Sequence, residues 1–171
     1  MSLFSFDFEK QKDLIGQKIG TSGWVTITQD MIDTFGKVTL DEELMHNDQE
    51  WAKDNTPYGT TISYGFLTLS LLTHLFHQVM PYPKDASLKG GGYPLNYGFD
   101  KIRIIAPVPV DGKVKGHFTL MDASERAKGQ MQQKFAVELE LEGLKKPVLY
   151  AEWLSIWITD DAMDSIKASQ K

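Results

Sequence analysis

The sequence predicts an α+β fold in which one antiparallel sheet wraps a single apolar helix, and three observations lead there. The run G-F-L-T-L-S-L-L-T-H-L-F-H-Q-V-M, residues 65–80, carries apolar side chains on more than one helical stripe, the pattern of a helix enclosed on most sides. From Asn96 onward the apolar period switches to two, which is the strand period. Helical signals fill the first half and strand signals the second, the segregation that an α+β layout produces.

In chain order, S-G-W-V-T-I-T (residues 22–28) has strand composition. Thr28 can then cap a helix whose Met31, Ile32 and Phe35 lie at helical spacing, with Gly36 ending it. Asn47 or Asp48 can start a second short helix through Trp51 and Ala52, and T-P-Y-G (56–59) breaks it. Pro81 stops the long apolar helix. Residues 81–94, P-Y-P-K-D-A-S-L-K-G-G-G-Y-P, form a loop of lid or edge type. Strands are expected over 96–110 and 112–121. In the next, Phe135, Val137, Leu139 and Leu141 alternate with Ala136, Glu138, Glu140 and Glu142. E-G-L-K-K-P then makes a hairpin into a strand over 148–159, with bulky residues on both faces. One curved sheet around one helix leaves an edge and a face open, so dimerisation through the sheet is expected.

The chain of 171 residues suits one domain, 1–171, with the segment to about residue 20 and the tail after about residue 160 peripheral. Its 18 Lys/Arg against 23 Asp/Glu give a net charge of −5 with no basic stripe, which argues against nucleic acid and anionic membrane as partners. The absence of cysteine removes disulfides, thiolate metal sites and thiol nucleophiles together. Acids stand in residues 1–16 where a secretory leader needs an apolar core, and the apolar run at 65–80 is too short and polar to span a bilayer, so the expectation is cytoplasmic.

Two places could carry chemistry. In D-E-E-L-M-H-N-D-Q-E, Asp41 and His46 are five apart, which is the wrong spacing for one helical face. By itself the pair reads first as solvated surface. Converging in an irregular loop, a carboxylate and an imidazole could instead hold a water and move its proton. No second histidine sits at ligand spacing near His46, so no metal is expected there. His74 and His77 read as core or interface histidines. At T-T-I-S-Y-G-F, Gly65 stands where a helix begins. It either lets the helix pack closely or bares an N–H that could stabilise a carbonyl oxygen as it becomes an oxyanion. Ser70, alone, reads as a small buried hydroxyl bonded to its own helix.

The blocks D-E-E-L-M-H-N-D-Q-E-W-A, G-T-T-I-S-Y-G-F-L-T-L-S-L-L and N-Y-G-F-D-K-I-R-I-I-A-P-V, in that order, resemble the MaoC-like dehydratase family and most closely its NodN-like branch. The resemblance extends from about Trp24 to Trp157. It implies a hot-dog fold, a long helix wrapped by antiparallel strands, and hydration of a trans-2-enoyl thioester to the (R)-3-hydroxyacyl thioester. On matching positions it implies Asp41 and His46 as the catalytic pair and Gly65 as backbone donor to the thioester carbonyl. Ser70 and Tyr64 become supporting residues, and no cofactor is required. The substrate would be an acyl-CoA or acyl-carrier-protein thioester, and the assembly a homodimer or higher homo-oligomer. Leu40 replaces the family's glycine before the aspartate, Glu43-Leu44 its Asn-Pro, and Tyr64 its histidine before the helix glycine. Asn96 matches a recurrent residue of the branch, without an assigned role. A thioesterase, or a non-catalytic acyl-binding protein, would use the same pocket differently.

Overall fold

The computed structural model describes residues 11–80, 92–159, 162, 163 and 167. Strands β1 (Lys18–Thr21) and β2 (Val25–Thr26) come first, then helices α1 (Gln29–Thr39), α2 (Leu44–Asn47), α3 (Gln49–Asn55), α4 (Gly65–Ser70) and α5 (Leu72–Val79). Strands β3 (Gly92–Ile104), β4 (Lys113–Ala127), β5 (Gln130–Leu141) and β6 (Leu149–Thr159) complete the sheet. Its order is β1-β4-β5-β6-β3 with β2 also on β4, and every pair is antiparallel. Three consecutive strands form the meander read from the sequence, and β3 lies beyond β6.

The alternation in β5 sorts its side chains as expected. Phe135, Val137 and Leu139 are buried against the helix side. On the outer face Glu140 meets Lys115 and His117, and Glu142 meets Lys113. In β6, Leu149, Ala151 and Trp153 join the main core, while Ile156 and Ile158 pack with Ala162 in a smaller cluster.

The apolar run is a helix in two segments, with a single irregular residue at Leu71. The hydrogen bonds Leu71 N to Leu67 O and Leu75 N to Leu71 O carry the i to i−4 ladder through it. Phe76 locks the helix to the sheet, its ring packed edge-on against Phe118, Phe135 and Trp153 at centroid distances of 5.2, 4.9 and 5.3 Å. These contacts combine area burial with the preferred edge-to-face geometry.

Several local readings change. The strand expected at 22–28 shrinks to Val25–Thr26, and β1 forms ahead of it. Strand β3 starts at Gly92 and ends at Ile104, so residues 92–94 belong to the sheet, whereas 81–91 lie outside the described residues. Strand β4 runs on to Ala127. Thr28 does cap α1, accepting from Met31 N, and Asp48 caps α3, accepting from Trp51 N. Gly36, however, lies inside α1, which continues to Thr39 and ends on Leu40 with φ 61° and ψ 30°. Among the described residues no helix is long and apolar enough to cross a membrane.

Leu40 therefore holds the left-handed conformation that usually falls to glycine at a helix end. Its N–H bonds Gly36 O, and its side chain is almost fully exposed, so little packing offsets the backbone strain. We expect Leu40→Gly to stabilise the fold by about 1 kcal/mol in urea denaturation, relieving the cost an L-residue has there. An unchanged or lower midpoint would show that the Leu40 side chain contributes more than its exposure suggests.

Candidate active site

The helix α1, the segment that follows it and the start of α4 meet around one buried ring. Tyr64, the residue before α4, stacks on the His46 imidazole with ring centroids 3.8 Å apart. Its hydroxyl donates a short hydrogen bond to the backbone carbonyl of Asp41 and accepts one from Asn47 Nδ2 at 2.8 Å. Burial, and then the nearby Asp41 charge, push the Tyr64 phenol above its ordinary value, against the lowering effect of the Asn47 bond. The phenol stays protonated and keeps its donor role.

Gly36 makes this approach geometrically permissible. A Cβ there would lie 2.5 Å from the Tyr64 hydroxyl and 2.9 Å from the Asp41 carbonyl oxygen. Gln29, in the first turn of α1, ties the same region from the other side. Its Nε2 donates to His46 O at 2.8 Å and to Asp33 Oδ1 at 2.7 Å, and its Oε1 accepts from the fully buried Thr61 hydroxyl at 2.6 Å.

His46 is buried, on the four-residue helix α2. Its Nδ1 lies 2.7 Å from Ile62 O. A carbonyl can only accept, so Nδ1 carries the hydrogen, and in the neutral tautomer this leaves Nε2 as the acceptor. Nε2 bonds to none of the described residues. Ile62 is itself held, its N–H on Met45 O at 3.3 Å and its neighbours laddered to the segment around Pro109.

Beside His46 a cavity of about 240 Å³ opens. Ser63, Gly65 and Thr68 line it on the helix side, and residues 104–108 form the opposite wall with Val148. The Gly65 N–H, in the first turn of α4, has no acceptor among the described residues, as expected at a helix start. Ser63 and Thr68 hydroxyls bond one another at 3.0 Å. His46 and Gly65 thus come together. Tyr64 supports them from behind the imidazole.

Two other expected residues sit differently. The Asp41 side chain is exposed after the end of α1 and is not part of the cavity lining; its backbone, rather, meets Tyr64. Ser70 is exposed, its Oγ bonded to Phe66 O at 2.7 Å, so the hydroxyl is spent on its own helix and lies outside the cavity. His74 is exposed as well, with Nε2 3.0 Å from Gln78 Nε2. No group of three or more His, Asp or Glu among the described residues is placed to hold a metal ion.

Reading the sequence missed Gln29, Ser63, Thr68 and the 104–108 wall. Only the I-R-I-I-A-P-V run gave a hint, an apolar stretch ending in prolines at a strand end.

An enclosed helix wrapped by an antiparallel sheet, with a cavity at the helix start, defines a hot-dog protein. Residues 10–142 match the family described as MaoC like domain, and the chain belongs to that family. It is 39% identical to 3-hydroxyacyl-thioester dehydratase Z of Mycobacterium tuberculosis, over 85% of this chain and 93% of that protein. It is 38% identical to nodulation protein N of Rhizobium meliloti, over 84% of this chain and 86% of the relative. The fold is similar to that of a monoamine oxidase regulatory protein from Archaeoglobus fulgius, with a TM-score of 0.70 and 26% identity, over 85% and 90% of the two chains.

Gly36→Ala should run against the usual helix rule. In an ordinary helix interior the change stabilises by roughly 0.5–1 kcal/mol. Here the methyl displaces the Tyr64 hydroxyl from Asp41, and we expect a loss of about 1–3 kcal/mol, the cost of stranding buried polar groups. Urea melts of Gly36→Ala beside Tyr64→Phe check it, and a stabilised Gly36→Ala would contradict the assignment.

Proposed function

We propose that the protein adds water reversibly to a trans-2-enoyl thioester, giving the (R)-3-hydroxyacyl thioester of coenzyme A or an acyl carrier protein. The observation that carries this reading is the His46 imidazole, oriented by Ile62 O so that Nε2 is left as an acceptor beside a cavity shared with the Gly65 N–H. The dehydratase named among the relatives supports it.

In this reading the thioester carbonyl docks at the start of α4, where the Gly65 N–H and the helix end favour negative charge. Water held by His46 and Asp41 gives up a proton as its oxygen bonds the β-carbon. The electron pair of the double bond moves to the thioester oxygen as an enolate. The same acid–base pair returns a proton to the α-carbon, so one water is added and nothing is oxidised. His46 accepts through Nε2. Asp41 is the second group of the pair in this reading, although its carboxylate lies exposed and outside the cavity lining here.

The expected test is loss of absorbance of crotonyl-CoA, with coenzyme A release followed in the same samples. Asp41→Asn and His46→Ala should each lower kcat/KM by about 10² or more, the usual contribution of a positioned acid or base. Full activity in either variant would remove that residue from the mechanism. Thiol release without hydration would replace the hydratase with a thioesterase.

We also propose a homodimer built on β3. This strand has 13 residues, pairs only with β6 among the described strands, and bares Tyr93, Leu95, Tyr97 and Phe99. An edge of that length and apolarity is a template for a second strand, and two-fold pairing closes it. Light scattering should give twice the chain mass at micromolar concentration, and Tyr97→Lys with Leu95→Lys should shift it towards monomer. A wild-type monomer at that concentration would overturn the pairing.

A further inference from the structure

A second cavity, of about 280 Å³, lies at the other end of the central helix. Thr73, Phe76 and His77 of α5 form one wall, Tyr93 and Asn96 of β3 the other, and Trp153 and Ser155 of β6 the floor. The catalytic reading uses none of these side chains.

Three features set this cavity apart from a simple gap in packing. Phe76 and Trp153 give it apolar sides, whereas Thr73, His77, Asn96 and Ser155 are its residues with hydrogen-bonding side chains. Ser155 is 5% exposed and lines the cavity, and its hydroxyl bonds to none of the described residues. A hydroxyl not committed to a protein partner is free to donate to, or accept from, a group that enters the cavity. The lining also contains no lysine or arginine. Burial, and secondarily His74, hold the His77 imidazole below its ordinary value, so a fixed cation is missing and a carboxylate would be poorly held there.

The two cavities share no lining residue but have the same two elements in their walls. Both lie between the central helix and β3, the first at Gly65 and Ile104, the second at Thr73 and Asn96. Eight helical residues separate Gly65 from Thr73, about 12 Å along the axis. On β3, Asn96, Phe99, Ile102 and Ile104 pair with Ser155, Trp153, Ala151 and Leu149. Directly paired residues share a face of the sheet, so Phe99 and Ile102 supply an apolar path between a polar end and the thioester end.

Resting on the hydratase reading, we propose that the substrate's acyl chain carries an uncharged hydrogen-bonding group, such as a hydroxyl, at the end remote from the thioester, and that Ser155 and Asn96 bind it. The apolar middle holds the methylene chain. The remote hydroxyl replaces the water that would otherwise occupy the far cavity, and its hydrogen bonds set the preferred chain length.

The test compares matched trans-2-enoyl-CoA substrates, with and without a terminal hydroxyl, across medium and long chains. Calorimetric binding of the corresponding saturated acyl-CoAs runs in parallel. At one length the hydroxyl should raise both kcat/KM and affinity by about three- to tenfold, the size of one net hydrogen bond. Ser155→Ala and, independently, Asn96→Leu should shrink that ratio towards one; Asn96 is exposed and the second variant guards against a folding defect in the first. Hydration of plain chains with a ratio of one or less at every length would overturn this inference and leave the hydratase standing. Absence of hydration for every chain would overturn the hydratase. In that event a hydroxyl-dependent gain in binding, lost in Ser155→Ala, still upholds the cavity's preference, and equal binding overturns it.

Discussion

The site depends on how closely the end of α1 can approach the start of α4. Tyr64 spans that gap, with its ring on His46 and its hydroxyl between the Asp41 carbonyl and Asn47. Gly36 supplies the space, since any side chain there would occupy the position of the Tyr64 oxygen. One tyrosine thereby relates the backbone around Asp41 to the imidazole of His46, although the intervening chain is short, irregular and largely exposed. A loop of that kind has few contacts of its own to order it. Its geometry comes from the polar groups that hold it from both sides, Tyr64 and Gln29.

That arrangement also explains how an imidazole so close to the surface is held in one tautomer. The carbonyl of Ile62 takes the Nδ1 hydrogen, and Ile62 is anchored by Met45 and by the bridge at Pro109. Rotation of the ring would forfeit the bond to Ile62 and the stack on Tyr64 together. Preorganisation of this sort matters because a general base contributes only when its lone pair already faces the reacting proton. The helix behind Gly65 is equally fixed, through Phe76 and its three aromatic neighbours. Acceptor and donor are thus mounted on separate supports that meet at one cavity.

Much of the frame was legible because local rules govern it. The strand period in β5, the caps at Thr28 and Asp48, and the enclosed character of residues 65–80 follow from side-chain spacing and short-range hydrogen bonding. Gly36 misled for the same reason: a glycine after an amphipathic turn reads as a stop, but here it answers to Tyr64, 28 positions away in sequence and therefore invisible to any local pattern. Leu40 shows the complementary limit of local pattern. A leucine gives no sign of left-handed backbone, yet it stands where the family has glycine and adopts the conformation glycine would. The resemblance pointed to His46 and Gly65, which do share a cavity, and to Ser70, whose hydroxyl turns back on its own helix. What placed Gln29, Thr61 and the 104–108 wall around them is tertiary contact, which spacing along the chain does not encode.

Strand β3 joins the remaining features into one constraint. Its residues contribute to the walls of both cavities, while its outer edge has no described partner. Two register shifts, between Asn96 and Gly98 and between Phe99 and Lys101, interrupt its pairing with β6. Bulges bend a strand and re-aim its side chains, and these two fall between the polar residue of the far cavity and the apolar residues leading to the near one. A straight strand would keep strict alternation and could not present Asn96 and Phe99, three apart, to the same side. The irregularity that makes β3 a poor ladder is what sets Asn96 and Phe99 on the same side of it. In the proposed dimer a second chain along its outer edge would adjoin Tyr93 and Phe99, so association and the cavity walls draw on residues of the same strand.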